Sequence, residues 1–269
     1  TLADRWPGLR DRRIEFPGAG AAAELYAAHL ARSLEARAVR EQVIGLVQPL
    51  LGDARAVGFP AVLGLARCAD VHTAFADGLG VPVFEIPTMP TSVPGLRLQG
   101  ALETAVAARG VRRIRRTEVR GLAFAADDEA TLELGDDPND GRGERVSARA
   151  VVLATGRFSG HGLVGARDRI REPLLGLPVA QPASREQWHR CDFHDPAGHA
   201  IHRAGLTVDR TWRPLDATGA PAWPRLVAVG SILANQDWIR AKCGSGLAIA
   251  TAWAAIDHLA RDLRASALG

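Results

Sequence analysis

Between residues 21 and 51 the apolar positions Leu25, Ala28, Leu34, Val39, Val43, Leu46, Val47 and Leu50 recur at helical intervals among Glu and Arg. This spacing predicts two helices broken near residues 35–38. The pattern then shortens. Ala56-Val57-Gly58-Phe59-Pro60 reads as a short buried strand, Asp70 can cap a helix through about Asp77 that Gly78 and Gly80 end, and residues 81–86 form another strand. Helices alternating with strands make this stretch an α/β lobe. Prolines punctuate residues 87–95, where no regular structure is expected. A helix follows over 96–109 with Leu98, Leu102 and Val106 on one face and Gly110 as its cap. Two β segments at 111–124 and 130–134 come next, then a polar hairpin loop at 135–143.

Residues 146–156 end in the continuous apolar run Val151-Val152-Leu153-Ala154, the signature of a fully buried parallel strand, and stop at the small residues Thr155 and Gly156. A second such strand, residues 225–231, ends at Gly230-Ser231. Cys243-Gly244-Ser245-Gly246 then opens a helix over 247–263. Residues 157–215 are rich in Gly, Pro, Arg, His and Trp and carry little apolar period, so loops on a ligand side are expected there.

Composition narrows the class. Of 269 residues, 47% are hydrophobic and 23% charged, with a formal net charge of +3, which excludes disorder, collagen and coiled coil. The apolar stretch at 247–256 is well short of the roughly 20 residues a membrane span needs. Three cysteines, Cys68, Cys191 and Cys243, stand far apart in no CxxC spacing, so a reducing, cytoplasmic setting is expected. The N-terminus has neither an initiator Met nor signal-peptide character and reads as a chain beginning within a longer protein. The basic residues are almost all Arg, Lys242 being the one lysine. Their densest run, 111–119, has no flanking aromatics to stack bases, so a solvated face is expected there and no nucleic-acid site.

Candidate chemistry is sparse. Gly18-Ala19-Gly20-Ala21-Ala22-Ala23 matches the loose dinucleotide fingerprint, but Arg12-Arg13-Ile14-Glu15 precedes it where a buried strand is required. No HExxH, GxSxG or Walker loop is present. His189, His194, His199 and His202 crowd one region and could hold a metal or could simply line a loop; no metal site is expected. Arg157, Arg169, Arg171 and Arg213 could clamp an oxyanion or pair with Asp168, Glu172 and Asp216. The two strand ends and the Gly-Ser-Gly loop suit either a flat anionic cofactor approaching bare backbone and a helix start, or a tight self-packed turn.

Four motifs in order add a resemblance: 86–99 (Ile-Pro-Thr-Met-Pro-Thr-Ser-Val-Pro-Gly-Leu-Arg-Leu-Gln), 152–163, 170–177 (Ile-Arg-Glu-Pro-Leu-Leu-Gly-Leu), and Val229-Gly230-Ser231-Ile232-Leu233 with Cys243-Gly244-Ser245-Gly246. Together they resemble the B subunit of anaerobic glycerol-3-phosphate dehydrogenase. The resemblance implies an α/β, partial two-lobed flavoprotein fold lacking the N-terminal GxGxxG unit, related to fumarate reductase. It divides the chain into an α/β cap-like lobe (1–87), a β-rich return to the flavin-binding lobe (88–160), ligand-side loops or cap segment (161–222) and a C-terminal strand-loop-helix (223–269). It implies FMN, alternatively FAD, lined by Ala154, Thr155, Gly156, Gly230, Ser231, Gly244, Ser245 and Gly246. Arg171 is the candidate for contact with the substrate phosphate, and no catalytic residue is assigned. The implied activity is electron transfer in oxidation of sn-glycerol 3-phosphate to dihydroxyacetone phosphate by quinone. Two partners are implied: a catalytic subunit that contains FAD, and an iron-sulfur subunit that is docked on the membrane and would hold the chain at the inner membrane. The alternatives are a related flavin oxidoreductase with another substrate, or a structural partner without flavin.

Overall fold

The computed structural model describes residues 5, 8–20, 25–88, 91–125, 129–136 and 143–266, which form two compact units, 1–113 and 114–269. The expectations for most of the N-terminal residues, for Ala21–Ala23 of the glycine pattern, for Met89-Pro90 and for the 137–142 part of the polar loop lie outside the described residues.

In the first unit, helices α1 (Ala27–Ser33) and α2 (Arg37–Val47) are separated at residues 34–36, as the pattern predicts. Strands β1 (Val57–Pro60) and β2 (Val83–Ile86) pair in parallel, Val57 opposite Val83 and Pro60 opposite Ile86, and helix α3 (Cys68–Leu79) lies between them in sequence. The core gathers Leu34, Val43, Val47, Phe59, Leu63, Val71, Phe75 and Leu79, with Phe59 edge-on to Phe75 at 5.0 Å. Gly80 ends α3 in the left-handed region (φ +68), where a Cβ is costly. Gly78 does not end it: the residue lies inside the helix, where a Cβ would sit 2.9 Å from Ile44. Helix α4 (Val93–Ala108) begins three residues before the expected start. Ser92 accepts the Gly95 N–H, and Pro94 stands in the first turn, where its missing N–H costs nothing.

In the second unit, β3 (Val119–Phe124), β4 (Ala130–Asp136) and β5 (Gly143–Ala148) form an antiparallel meander. β3 begins only at Val119. Residues 111–118 of the predicted segment are exposed and irregular, with Arg116 at φ +58. The predicted 146–156 run breaks at residues 149–150, and β6 (Val151–Leu153) leaves the meander to pair in parallel with β11 (Leu226–Ala228), Val151 opposite Leu226. Between them lie two-residue strands β7 (Val164–Gly165) with β8 (Ile170–Arg171), and β9 (Val179–Ala180) with β10 (Gly205–Leu206). Short helix α5 (Trp238–Ala241) precedes the long α6 (Gly244–Ser266), which starts three residues before the expected Leu247 and packs Ala255 and Leu259 on Val227 and Val229. The main core joins Val151, Leu153, Leu163, Ile170, Leu177, Trp188, Leu206, Leu226 and Ile232.

Among the described residues, no helix is long and apolar enough to cross a membrane. The three cysteines are free thiols.

Candidate flavin site

The site builds from two strand ends. β6 and β11 run side by side, so Ala154-Thr155-Gly156 and Val229-Gly230-Ser231 emerge together. Gly156 (φ +71) and Gly230 (φ +76) both turn the chain through the left-handed region, and a Cβ on Gly156 would lie 3.5 Å from Ser231 Oγ. Nothing lies within 4 Å of where a Cβ on Gly230 or Gly246 would stand. A glycine that faces open space at a strand end, as Gly230 does, leaves backbone open to a flat ligand.

Thr251, one turn into α6 beyond Leu247, joins this turn to the helix. Its Oγ1 accepts the Gly230 N–H at 2.9 Å and donates to Leu247 O at 2.7 Å. Gly230 therefore contributes shape and not an N–H donor. Sequence reading did not single out Thr251. Nor did it single out the tight packing of Gly160 and Gly162: a Cβ on Gly160 would strike Thr155 O, and one on Gly162 would strike Gly156 O and stand 2.5 Å from Thr155 Oγ1. Both glycines stand in the 152–163 motif, so the signal was present. The loop after β6 folds back onto the turn, and Thr155 Oγ1 is left buried without a hydrogen-bond partner.

Lys242 (φ +53) turns the chain from α5 into α6, whose first residues are Gly244, Ser245 and Gly246. Their N–H groups have no intrahelical acceptor and carry the positive end of a 23-residue helix. The residues present fit a flavin: the Gly230 turn, with nothing within 4 Å of its Cβ position, an orphaned buried hydroxyl on Thr155 and the N-terminus of α6 lie about the strand ends of one sheet.

The arginines go elsewhere than an oxyanion clamp. Arg157 is buried and donates to Ser231 O (2.7 Å), His202 O, Gln236 O (3.4 Å) and Leu233 O (3.5 Å), tying the β6 loop to the β11 loop and to the 200–203 turn through carbonyls. Burial pulls its pKa below the ordinary arginine value, and Asp237 opposes that pull. Arg169 pairs with Asp168 at 2.8 Å. Arg213 pairs with Asp209 at 2.8 Å and not with Asp216. Glu172 is buried and accepts the N–H groups of Leu174, Leu175 and Leu177, so it is no partner for Arg171. Arg171 is exposed on β8, and its charge acts on Asp168, whose carboxyl it helps Arg169 hold below the ordinary value.

The histidines crowd as expected, with ring centroids at 5.4 Å (His189–His199) and 5.3 Å (His199–His202). Both nitrogens of buried His199 are taken: Nδ1 accepts the Arg190 N–H at 3.0 Å and Nε2 donates to Phe193 O at 3.0 Å. The Nε2–H tautomer is thereby fixed. His202 Nδ1 is buried 3.8 Å from Asp237, and burial holds its pKa below the ordinary value against the pull of that carboxylate. Among the described residues, no group of three or more His, Cys, Asp or Glu is arranged to hold a metal.

The family described as an FAD binding domain matches residues 21–247. The chain belongs to the FAD-binding-domain family. Relatives of this FAD-binding-domain chain carry a narrower name. A Halobacterium salinarum protein, named as the probable B subunit of anaerobic glycerol-3-phosphate dehydrogenase, is 36% identical over 260 residues, covering 92% of this chain and 59% of the relative. The B subunits of the same enzyme from Yersinia pestis and Pectobacterium atrosepticum are 29% and 30% identical over 91% and 89% of this chain, and 53% and 54% of their own lengths. The chain thus spans a little over half the length of these curated relatives. No solved structure matches it.

Proposed function

We propose that this chain is a flavin-carrying part of one subunit of a quinone-linked glycerol-3-phosphate dehydrogenase, with the flavin at the joined ends of β6 and β11. The observation that carries the reading is the pair of left-handed glycines, Gly156 and Gly230, opening beside the N-terminus of α6 with the Thr155 hydroxyl buried and unpartnered. Family membership and the names of the relatives support it. Ala154, Thr155 and Gly156 would form one wall and Gly230 and Ser231 the other. Gly244, Ser245 and Gly246 would turn helix N–H groups toward negative charge on the ligand. When bound, a flavin supplies a two-electron acceptor that can pass its electrons on singly. The chain's own part is positional. Arg157 holds the two loops in register by three carbonyl contacts to the β11 loop and a fourth to His202 O in the 200–203 turn, and Thr251 fixes the α6 start against the second turn.

In this reading the electrons originate from sn-glycerol 3-phosphate and leave dihydroxyacetone phosphate behind. They reach quinone by way of two partner subunits, one containing FAD and one an iron-sulfur protein docked on the membrane, which would keep the chain at the cytoplasmic face of the inner membrane. Arg171, exposed on β8, would meet the substrate phosphate with two parallel N–H donors. The family description names FAD, whereas the motif resemblance points to FMN.

The purified full chain should show oxidised-flavin absorption, and chromatography of the heat-released cofactor should identify FMN or FAD. Absence of stoichiometric flavin after reconstitution with either would overturn the reading. Arg171→Lys in the assembled complex should raise the apparent KM for glycerol 3-phosphate while leaving the flavin spectrum and melting temperature unchanged. An unaltered KM would remove Arg171 from the proposal.

A further inference from the structure

The first half of α6 is apolar on both of its sides. From Gly246 to Ile256 it reads Gly-Leu-Ala-Ile-Ala-Thr-Ala-Trp-Ala-Ala-Ile and carries no charge. One side is accounted for by the core. Thr251, Ala255 and Leu259 are buried, and Ala252 and Leu263 join Ala255 and Leu259 against Val227 and Val229. The opposite side is not covered: Ile249 is 71% exposed, Trp253 73% and Ile256 46%. A helix that lies on a core by one face ordinarily turns a polar face outward, so a stripe of large apolar side chains in that place marks a contact surface.

The spacing of the stripe says what kind of surface it fits. Ile249, Trp253, Ile256 and Ala260 follow one another at steps of four, three and four residues. That is the seam of a coiled coil, which suits another helix and not a strand, whose side chains repeat every two residues. Laid against itself, the seam fits in one direction. Parallel, Trp253 would meet a second Trp253 and Ala260 a second Ala260, crowding one layer and emptying another. Antiparallel, Ile249 falls opposite Ala260 and Trp253 opposite Ile256, and the same pairs return in reverse order beyond the midpoint. Small then faces large at the outer layers, and the one bulky ring meets a branched aliphatic side chain at the centre. Asp257 borders the stripe, is paired with Arg261, and in this register lies nearest Ala250 of the second copy, so no like charges are pressed together. With Asp257, Arg261 and Asp262 beside it, the stripe has a rim of both signs, unlike the cationic rim of a helix that lies on a bilayer.

We propose that the exposed stripe of α6 is the contact between two copies of this chain, paired antiparallel about a twofold axis through the middle of the stripe. Trp253 enters the contact once from each copy, on either side of the axis, and is its anchor. A seam this short covers less than the roughly 800 Å² a side of a standard interface, so the dimer dissociates in the micromolar range. The inference does not rest on the flavin assignment.

The test is sedimentation velocity on the full chain from about 1 to about 200 μM, a span that brackets a small interface. A reversible monomer–dimer equilibrium is expected, weakened at least about tenfold by Trp253→Glu, since a central aromatic anchor is lost from both copies. The melting temperature of that variant, compared with wild type at a concentration where both are monomeric, should be unchanged, because the side chain is exposed and Glu favours helix. The direction of pairing has its own readout. Ile249→Ala and Ala260→Ile should each weaken the dimer, and the two together, which exchange the members of the outer layers, should restore most of it. A chain that stays monomeric throughout, or a dimer that Trp253→Glu leaves intact, overturns the proposal. An Ala260→Ile dimer tighter than wild type overturns the antiparallel pairing. A monomeric chain that sediments with vesicles of phosphatidylcholine and phosphatidylglycerol, and no longer does so as Trp253→Glu, gives the stripe to a lipid surface and equally overturns it.

Discussion

Gly156 and Gly246 stand in the same candidate site for different physical reasons, and substituting them separates fold from ligand. At φ +71 and 3.5 Å from Ser231, Gly156 tolerates no branched side chain without backbone strain, so Gly156→Val should lower both the melting temperature and flavin retention. Gly246 has open space before it and a helical backbone, where Val is no worse than Gly. Gly246→Val should keep the melting temperature within a few degrees and still reduce flavin retention at least severalfold, read as the absorption ratio of flavin to protein. Full retention in Gly246→Val would free the α6 start from the site. These glycines were legible in the sequence because small residues at strand ends have a local signature. The contacts of Arg157 were not. Its acceptors stand 45 to 79 positions away, and nothing in the arginine's neighbours announces backbone carbonyls as partners.

Among the elements, β2 and α4 are joined to each other and to the loop after β1 by an ion pair with a pH signature. Arg97 meets Glu85 with both terminal nitrogens and gives its Nε–H to Gly64 O, while Glu85 accepts the Leu63 N–H at 2.7 Å. Burial pushes the Glu85 pKa up, but the hydrogen bonds from Arg97 and Leu63 outweigh it and hold the carboxyl below its ordinary value. A depressed folded-state pKa contributes stability above the unfolded value, near 4.3, that is lost as pH falls through the folded one. Wild-type stability should therefore drop on acidification below about pH 4.3. Glu85→Gln should lose about 1–3 kcal/mol at neutral pH and show a shallower decline below it, measured by urea unfolding at a series of pH values. Element existence was largely readable from periodicity, and the breaks at 34–36 and at Gly80 coincide with what the pattern predicts. The starts of α4 and α6 were misjudged by three residues each. A Ser-Val-Pro-Gly or Gly-Ser-Gly sequence looks like loop, yet Ser92 and the free first-turn N–H groups make those positions good helix starts. The 111–118 stretch failed as a strand because its apolar residues, Val111 and Ile114, stand three apart among arginines and give no face to bury.

At the scale of the whole molecule, each unit has its own buried core, one around Phe75 and one around Leu226 and Ile232. Phe75→Ala, at a fully buried site, should cost about 3–5 kcal/mol. Hydrogen exchange should accelerate in residues 27–86, whereas flavin content, carried by the second unit in the proposed reading, should persist. Loss of flavin at temperatures where the second unit keeps its exchange protection would contradict that division. The pairing of β6 with β11, over 70 positions apart, could not be read from either strand alone, because a buried run states that it needs neighbours and not which ones. The near-complete use of arginine for positive charge has one practical consequence. Lys242, the chain's one lysine, stands in the left-handed turn that leads into α6, so an amine-reactive fluorophore coupled to its side chain would place a reporter dye beside the proposed flavin pocket without any engineered cysteine.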